Sequence, residues 1–428
     1  MSQFERVILH IGAEKTGTTA AQTLLYLNRK KLLRQGVALT DAFGVGNNRA
    51  LATYAIDPER QDDELYRWAG VRTLEERLAY KAKLRDDFLA EIAALPKKVH
   101  TLVLTNEHCH SRIRTAEEAE AIFDLLAPLS PRIEVLVYLR RQIDMAVSAY
   151  STTLKGGRAG VDFEGGGGRD PSYYDHLGLL ERWSDAFGRS AMAVRIYDRE
   201  EPVPFLTDFQ AALGLSEMQL QAPERSEQNR ELSRSAMAMI RKMPEDMRGL
   251  GRTVAGRAVI ARYVNAVAEA STSIGDPAGF RPSREEAAAF QAQFEEDNER
   301  IRAEWFPDRP RLFPDNLDRY PPAAEATPLD HLSAEDAGAY ANAIWWREAR
   351  SAMRHEAYAK ALEARLRALD GDAVGAETLR RQALEIDEDC AAALTDLFVA
   401  LLESGRVEQA REMAPRLDRL ARRVEKSG

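Results

Sequence analysis

A short segment near the N-terminus has the residue types of an anion-binding loop. It reads G-A-E-K-T-G-T-T over residues 12–19, between an apolar run at residues 7–11 and a helical pattern over residues 19–33. Where a strand passes into a helix through such a loop, backbone N–H groups and the helix N-terminus point at one spot and bind an anion. The predicted binding residues lie in the loop and the first helical turn: Gly12, Lys15, Thr16, Gly17, Thr18 and Thr19.

The lysine of this loop stands at an unusual position. Gly12 and Gly17 have the separation of the P-loop pattern G-x-x-x-x-G-K-[ST], but Thr18 occupies the place of its lysine. In nucleotide triphosphatases that lysine and a magnesium ion share the charge of the β- and γ-phosphates. Lys15, at the loop apex, favours a less charged phosphosulfate group bound without a metal. The alternative is a plain strand–turn–helix connection with a surface lysine.

A second pair of anion-binding residues follows a later apolar run. Residues 133–139 predict a strand, Arg140 comes directly after it, and Ser148 follows eight residues later in a helical stretch over residues 144–154. An arginine offers two parallel donors to a phosphate, and a serine hydroxyl adds one more. The alternative is an exposed arginine and a serine that faces solvent.

The elements that carry these residues alternate between strands and helices. Strands are predicted at residues 7–11, 101–105, 133–139 and 191–197, with helical patterns between them. This alternation is typical of parallel pairing with right-handed crossovers. It predicts an α/β three-layer sandwich with a central parallel sheet and a P-loop-like loop, and ligands bind at the carboxyl edge of such sheets.

The second half of the chain is predicted to be helical, and its end contains a repeat. The predicted domains are residues 1–320, a proline-rich linker at residues 321–330, and an all-α domain at residues 331–428. Gly371 and Gly405 lie 34 residues apart, and each is followed five residues later by an alanine. This segment resembles tetratricopeptide repeats, whose period is 34 residues. The alternative is a generic helical hairpin.

Composition excludes several classes of protein. The 428 residues include 59 Lys and Arg against 68 Asp and Glu, and the net charge of −9 argues against a nucleic-acid partner. No run of 18 apolar residues predicts a membrane span, and no signal-peptide pattern is present. Cys109 and Cys390 are the two cysteines, which favours a reducing compartment and a cytoplasmic location.

The two anion-binding motifs together resemble those of the sulfotransferases that use 3′-phosphoadenosine 5′-phosphosulfate (PAPS), in their bacterial branch. Residues 15–19 resemble the family's 5′-phosphosulfate loop, and the Arg140 and Ser148 pair resembles its 3′-phosphate element. Weaker similarities are found at residues 174–188, 229–233 and 297–313. The resemblance covers residues 1–320 and implies that PAPS is the co-substrate and that no metal is used.

The resemblance implies in-line transfer of a sulfuryl group to a hydroxyl or amine of an acceptor. Lys15 would stabilise the leaving oxygen, and a base after the second strand would take the acceptor's proton. Glu107 is the first candidate for that base and His108 the second. A metal at His108, Cys109 and His110 is not expected, because a strand would turn the cysteine to the opposite face.

The nature of the acceptor and of the helical tail is less constrained. A carbohydrate or glycolipid is the default acceptor among bacterial relatives. The tail is compatible with a protein partner or self-association. Two other functions stay open: a P-loop kinase or nucleotide-binding regulatory protein, and a non-catalytic scaffold that uses the helical tail.

Overall fold

A computed structural model of the chain describes most of its length. The described residues are 3–60, 63–158, 160–163, 166–198, 200–223, 232–249, 254–275, 279–323 and 332–427. The strands are β1 Arg6–His10, β2 Val37–Leu39, β3 Thr101–Thr105, β4 Ile133–Leu139 and β5 Met192–Ile196. The helices are α1 Thr18–Arg34, α2 Arg49–Ala55, α3 Glu64–Ala69, α4 Leu74–Ala93, α5 His108–Arg112, α6 Ala116–Leu126, α7 Gln142–Lys155, α8 His176–Phe187, α9 Phe205–Ala212, α10 Arg234–Arg241, α11 Glu245–Gly249, α12 Val254–Ser273, α13 Arg284–Ala292, α14 Glu295–Trp305, α15 Ala334–Leu369, α16 Ala373–Ile386, α17 Ala391–Glu403 and α18 Val407–Ser427.

The five strands form one parallel sheet in the order β2-β3-β1-β4-β5. The four predicted strands are all present, with ends that differ by at most one residue from the prediction. The sequence analysis missed β2, which has three residues and lies at the edge of the sheet, because so short a run has no recognisable period. Since β1 is central, the loop that follows it lies in the middle of the carboxyl edge.

Both faces of the sheet are covered by helices. Val7 and Leu9 of β1 pack in a core cluster with residues of α4, α6 and α8, including Trp183. Ile8, which points to the other face, packs in a second cluster with α1 and with Phe209 of α9. Burial on both faces explains why the strands are continuous apolar runs. The predicted α/β three-layer fold, with helices dominating the C-terminal part, is therefore confirmed.

The chain divides into two compact units. One consists of residues 1–261 and 277–331, and the other of residues 262–276 and 332–428. This division differs from the predicted domains because it places residues 262–276 with the C-terminal helices. The domain boundaries at residues 320 and 331 stay a prediction. The predicted linker falls mostly on residues 324–331, which lie outside the described part of the chain.

The C-terminal helices pack in sequence order, α15 on α16, α16 on α17 and α17 on α18. Gly371 and Gly405 end their helices with φ angles of 84° and 76°, a left-handed conformation that glycine adopts without strain. Ala376 and Ala410 are both buried. The geometry explains the spacing of these four residues, while membership of the tetratricopeptide family stays a prediction. No helix in the described ranges is long and apolar enough to cross a membrane.

Candidate active site

The loop between β1 and α1 turns three times through the left-handed region. Gly12, Lys15 and Gly17 have φ angles of 57°, 71° and 77°. Thr16 closes the turn from inside, since its backbone N–H and its hydroxyl both donate to the carbonyl of Ala13, at 3.3 and 2.6 Å. The loop is therefore a preformed concave turn that leads directly into the N-terminus of a 17-residue helix.

Gly17 is the N-cap residue of α1 and has no side chain to cap the first turn. The backbone N–H groups of Thr18 and Thr19 precede the first hydrogen bond of the helix, from Ala20 to Gly17, and can therefore bind an external anion, which the helix dipole also favours. A Cβ atom at Gly17 would lie 2.7 Å from the Phe205 ring and 2.9 Å from the Tyr197 ring. These two rings, which we call the aromatic wall, leave no space for a side chain at residue 17. The left-handed backbone angle independently favours glycine there.

Replacement of Gly17 by alanine is expected to lower both the stability of the chain and its affinity for an anion. The left-handed angle costs about 1–2 kcal/mol for an L-residue, and the aromatic rings must move in addition. Gly70 is the matched control, because its φ and ψ of 75° and 11° nearly equal the 77° and 14° of Gly17, and no atom lies within 4 Å of its Cβ position. Thermal unfolding should show a larger fall for Gly17→Ala than for Gly70→Ala. Equal falls in melting temperature for the two variants would mean that the Phe205 and Tyr197 rings do not restrict the side chain at residue 17.

Lys15 adopts a conformation that is rare for a residue with a side chain. Among the described non-glycine residues, it shares a positive φ with Asn48 alone. Such an angle is retained where the surrounding structure holds it, and it often marks functional sites. The Lys15 ammonium donates to the Thr152 hydroxyl of α7 at 2.6 Å, and its carbonyl accepts from Arg140 Nη1 at 2.6 Å. The two predicted anion motifs are therefore in direct contact.

Positive charge accumulates around Lys15. Burial lowers the pKa of its ammonium, the neighbouring Glu14 carboxylate raises it, and the cations of Arg169, Lys155 and Arg140 lower it again. Like charges collected at one place repel one another, and a bound anion would relieve that repulsion. Such a cluster of cations favours the binding of an anion.

Arg140 contacts the loop from the end of β4, and Ser148 lies on α7. The Arg140 guanidinium also lies over the Tyr197 ring, 5.5 Å from its centroid. Ser148 is half-buried and stands one helical turn before Thr152, whose hydroxyl donates to the Ser148 carbonyl at 3.2 Å. Residues four apart share one face of a helix, so Ser148 lies on the side of α7 that faces Lys15.

The predicted phosphate-binding threonines do not all point the same way. The Thr16 side chain is buried, and its hydroxyl is used within the loop, so it is available as a scaffold and not as a donor. Thr18 is also buried, against Gly12. Thr19 is exposed in the first turn of α1. The sequence alone could not distinguish these three orientations.

Glu107 and His108 stand beside the loop, at the start of a short helix. Glu107 accepts a hydrogen bond from Gln22 Nε2 of α1, and its backbone lies against Gly12. Residues 108–112 form α5 where the sequence analysis expected strand-like alternation. Cys109 still points away from the site, into the core cluster of β1, but helical geometry is the reason. Burial raises the pKa of its thiol, so it is inert.

Glu14 is a site residue that the sequence analysis did not identify. Its carboxylate accepts from the Ser111 hydroxyl at 2.5 Å and from the Tyr173 hydroxyl at 3.0 Å. Its backbone N–H points at His110 Nδ1, 3.4 Å away. Burial lowers the pKa of His110 to about 4, so this imidazole is neutral and accepts. A carboxylate within a glycine-rich loop was a visible signal, but its partners are 97 and 159 residues away in sequence.

An open cavity lies next to the aromatic wall. It has a volume of about 420 Å³, and its walls include Tyr138, Arg195, Tyr197, Asp198 and Phe205. Tyr197 lines this cavity, and the Arg140 guanidinium lies over its ring. The cavity is therefore adjacent to the cations around Lys15. No group of three or more His, Cys, Asp or Glu side chains that could hold a metal is found among the residues the structure describes.

A solved structure is similar to this chain at low sequence identity. It is the crystal structure of a sulfotransferase from Alicyclobacillus acidocaldarius, with 17% identity and a TM-score of 0.34. The similarity covers 60% of this chain and 94% of that chain. No family profile and no curated protein matches the sequence. A similarity at this level does not assign a family.

Proposed function

We propose that the chain is a sulfotransferase that moves a sulfuryl group from PAPS to a hydroxyl or amine of an acceptor. The observation that carries the proposal is the position of Lys15. Its ammonium donates to Thr152 of α7, its backbone carbonyl accepts from Arg140, and no lysine follows Gly17. A lysine placed there suits a phosphosulfate, which carries less charge than a triphosphate.

The residues present fit that co-substrate. The open N–H groups at the start of α1 and the Lys15 ammonium suit the 5′-phosphosulfate. Arg140 and Ser148 suit a second phosphate at the same edge of the sheet. The bound co-substrate supplies the sulfuryl group and a stable leaving phosphate. Lys15 neutralises the negative charge that develops on the leaving oxygen, and it needs no divalent ion to do so.

The proton of the acceptor needs a base at the same edge. Glu107 and His108 are the candidates, and both lie at the junction of β3 and α5 beside the loop. Burial lowers the pKa of His108, which keeps the imidazole neutral and able to accept a proton near pH 7. A carbohydrate or glycolipid acceptor, a cytoplasmic location and a role of the helical tail in partner binding or self-association stay part of this proposal.

Ligand-induced thermal stabilisation tests the proposal. The product nucleotide 3′,5′-adenosine bisphosphate should raise the melting temperature in the presence of EDTA, because ligands that bind the folded state stabilise it by about 2.7 kcal/mol at 100 times Kd. Arg140→Ala should remove most of that shift. Arg132→Ala is the matched control, since Arg132 precedes the amino end of β4 and is 68% exposed. No shift with the bisphosphate, together with a clear shift with Mg-ATP, would favour a kinase or nucleotide-binding regulator. Absence of both would favour a scaffold.

A further inference from the structure

His108 is a buried imidazole without hydrogen bonds in the described structure. Both of its ring nitrogens are shielded from solvent and have no hydrogen-bond partner. The Trp68 ring lies edge-on to it, with centroids 6.3 Å apart. A buried polar ring is costly unless another molecule completes its hydrogen bonds. A bound hydroxyl would satisfy such a nitrogen once it displaces the groups that shield it.

One side of this imidazole faces a carboxylate that other residues hold in place. Glu14 Oε1 lies 3.9 Å from His108 Nδ1, with the two side chains 15% and 14% exposed. Ser111 and Tyr173 each donate one hydrogen bond to Glu14, to different oxygens. The carboxylate is thus fixed by α5 and by the short helix at Pro171–Tyr174. It cannot turn away from the imidazole without breaking these bonds.

We infer that Glu14 is a positioning residue that acts through His108 and makes this histidine, and not Glu107, the base. This inference rests on the proposed function. His108 Nε2 takes the proton of the acceptor hydroxyl while the acceptor oxygen bonds to sulfur. The bond from sulfur to the bridging oxygen breaks, and that oxygen leaves with the electron pair beside Lys15. Glu14 stabilises the imidazolium that His108 becomes, as a charge within ion-pair distance does.

Glu14 is one of two carboxylates whose charge acts on His108. The carboxylates of Glu107 and Glu14 raise its pKa, and the guanidinium groups of Arg49 and Arg112 lower it, against a larger lowering by burial. Glu107 is also engaged by Gln22. Loss of Glu14 leaves one carboxylate against two cations, so the imidazolium is disfavoured.

The test is Glu14→Gln, which keeps the size of the side chain and removes its charge. The amide oxygen can accept from one of Ser111 and Tyr173, and the amide NH2 can donate to the hydroxyl oxygen of the other. The first readout is the titration of the His108 ring, followed by NMR on ¹³C-histidine protein and assigned with a His108→Gln variant. The pKa of His108 should fall by about one unit, since an opposite charge at this range shifts a pKa by 1–3 units. This readout needs no activity, so it stays meaningful if the chain is not a sulfotransferase.

The second readout is the pH dependence of sulfuryl transfer. A base works when it is deprotonated, so activity rises with pH through the pKa of His108. In Glu14→Gln this acid limb should move to lower pH by about one unit, and the plateau rate should fall by up to about tenfold. A merely structural effect would lower the plateau without moving the limb.

The matched control is Glu91→Gln. Glu91 is also a partly buried carboxylate that holds a loop, through Thr40 and the backbone N–H groups of residues 41 and 42. The Glu91→Gln variant should have a lower melting temperature than the wild type, and the pKa of His108 should be unchanged in it. An unmoved His108 titration in Glu14→Gln would overturn the inference. So would a His108→Gln variant that transfers sulfuryl groups at the wild-type rate, since Glu107 would then be the base. Failure to bind the bisphosphate, with the titration shift intact, would instead overturn the proposed function.

Discussion

Replacement of Lys15 by methionine is expected to reduce the rate of sulfuryl transfer by on the order of 10²–10³-fold, with the fold intact. Methionine keeps the length of the aliphatic chain and removes the charge. The ammonium donates to Thr152 across the loop and stands among the cations that surround the proposed anion. The positive charge of Lys15 stabilises the transition state most, because negative charge develops on the leaving oxygen there. The variant should therefore lose more in kcat than in affinity for PAPS. Steady-state kinetics with labelled sulfate measures both.

The control for this prediction is Lys97→Met. Lys97 is exposed and lies shortly before the amino end of β3, at the opposite edge of the sheet. The Lys97→Met variant should transfer sulfuryl groups at the wild-type rate. The melting temperature of Lys15→Met should stay close to that of the wild type, because this lysine is part of no core cluster. A Lys15→Met variant with unchanged kcat would contradict the role given to the loop apex.

Replacement of Arg141 by alanine is expected to destabilise the first unit by about 1–3 kcal/mol, the cost of leaving buried hydrogen-bonding groups without their donor. Arg141 and Asp144 form a buried ion pair at 3.0 Å, with side chains 5% and 4% exposed. The guanidinium also donates to the carbonyls of Pro314 and Asn316, at 2.9 and 2.6 Å. Removing it takes one partner from the Asp144 carboxylate, which keeps Tyr320 and Arg319, and leaves the carbonyls of Pro314 and Asn316 without this donor. A lower urea midpoint of unfolding measures the loss.

Arg300→Ala is the matched comparison for Arg141→Ala. Arg300 pairs with Glu181, but the two side chains are 59% and 56% exposed, and solvent screens such pairs. Its urea midpoint should stay near the wild-type value. If both variants unfold at the same urea concentration, the network of Arg141 does not hold residues 314–316 to α7.

Adjacent arginines show where sequence reasoning reaches its limit. Arg140 and Arg141 follow β4 with the same side-chain chemistry, and only Arg140 enters the candidate site. Arg141 turns to the opposite side, where residues 314–316 complete its hydrogen bonds. Those carbonyls are more than 170 residues away in sequence, so no local pattern could reveal which arginine is structural.

The sequence alone determined four of the five strands, the loop with its displaced lysine, and the expectation that Arg140 lies next to that loop. These are local features: strand periodicity, glycine at left-handed positions, and the fixed spacing of residues on one helix. Only the tertiary structure decided that Thr16 is buried, that Glu14 faces His108, and that Tyr197 and Phe205 close around Gly17. Such contacts depend on which distant elements the sheet brings to its carboxyl edge, because side-chain direction and burial are set by packing and not by the neighbours in sequence.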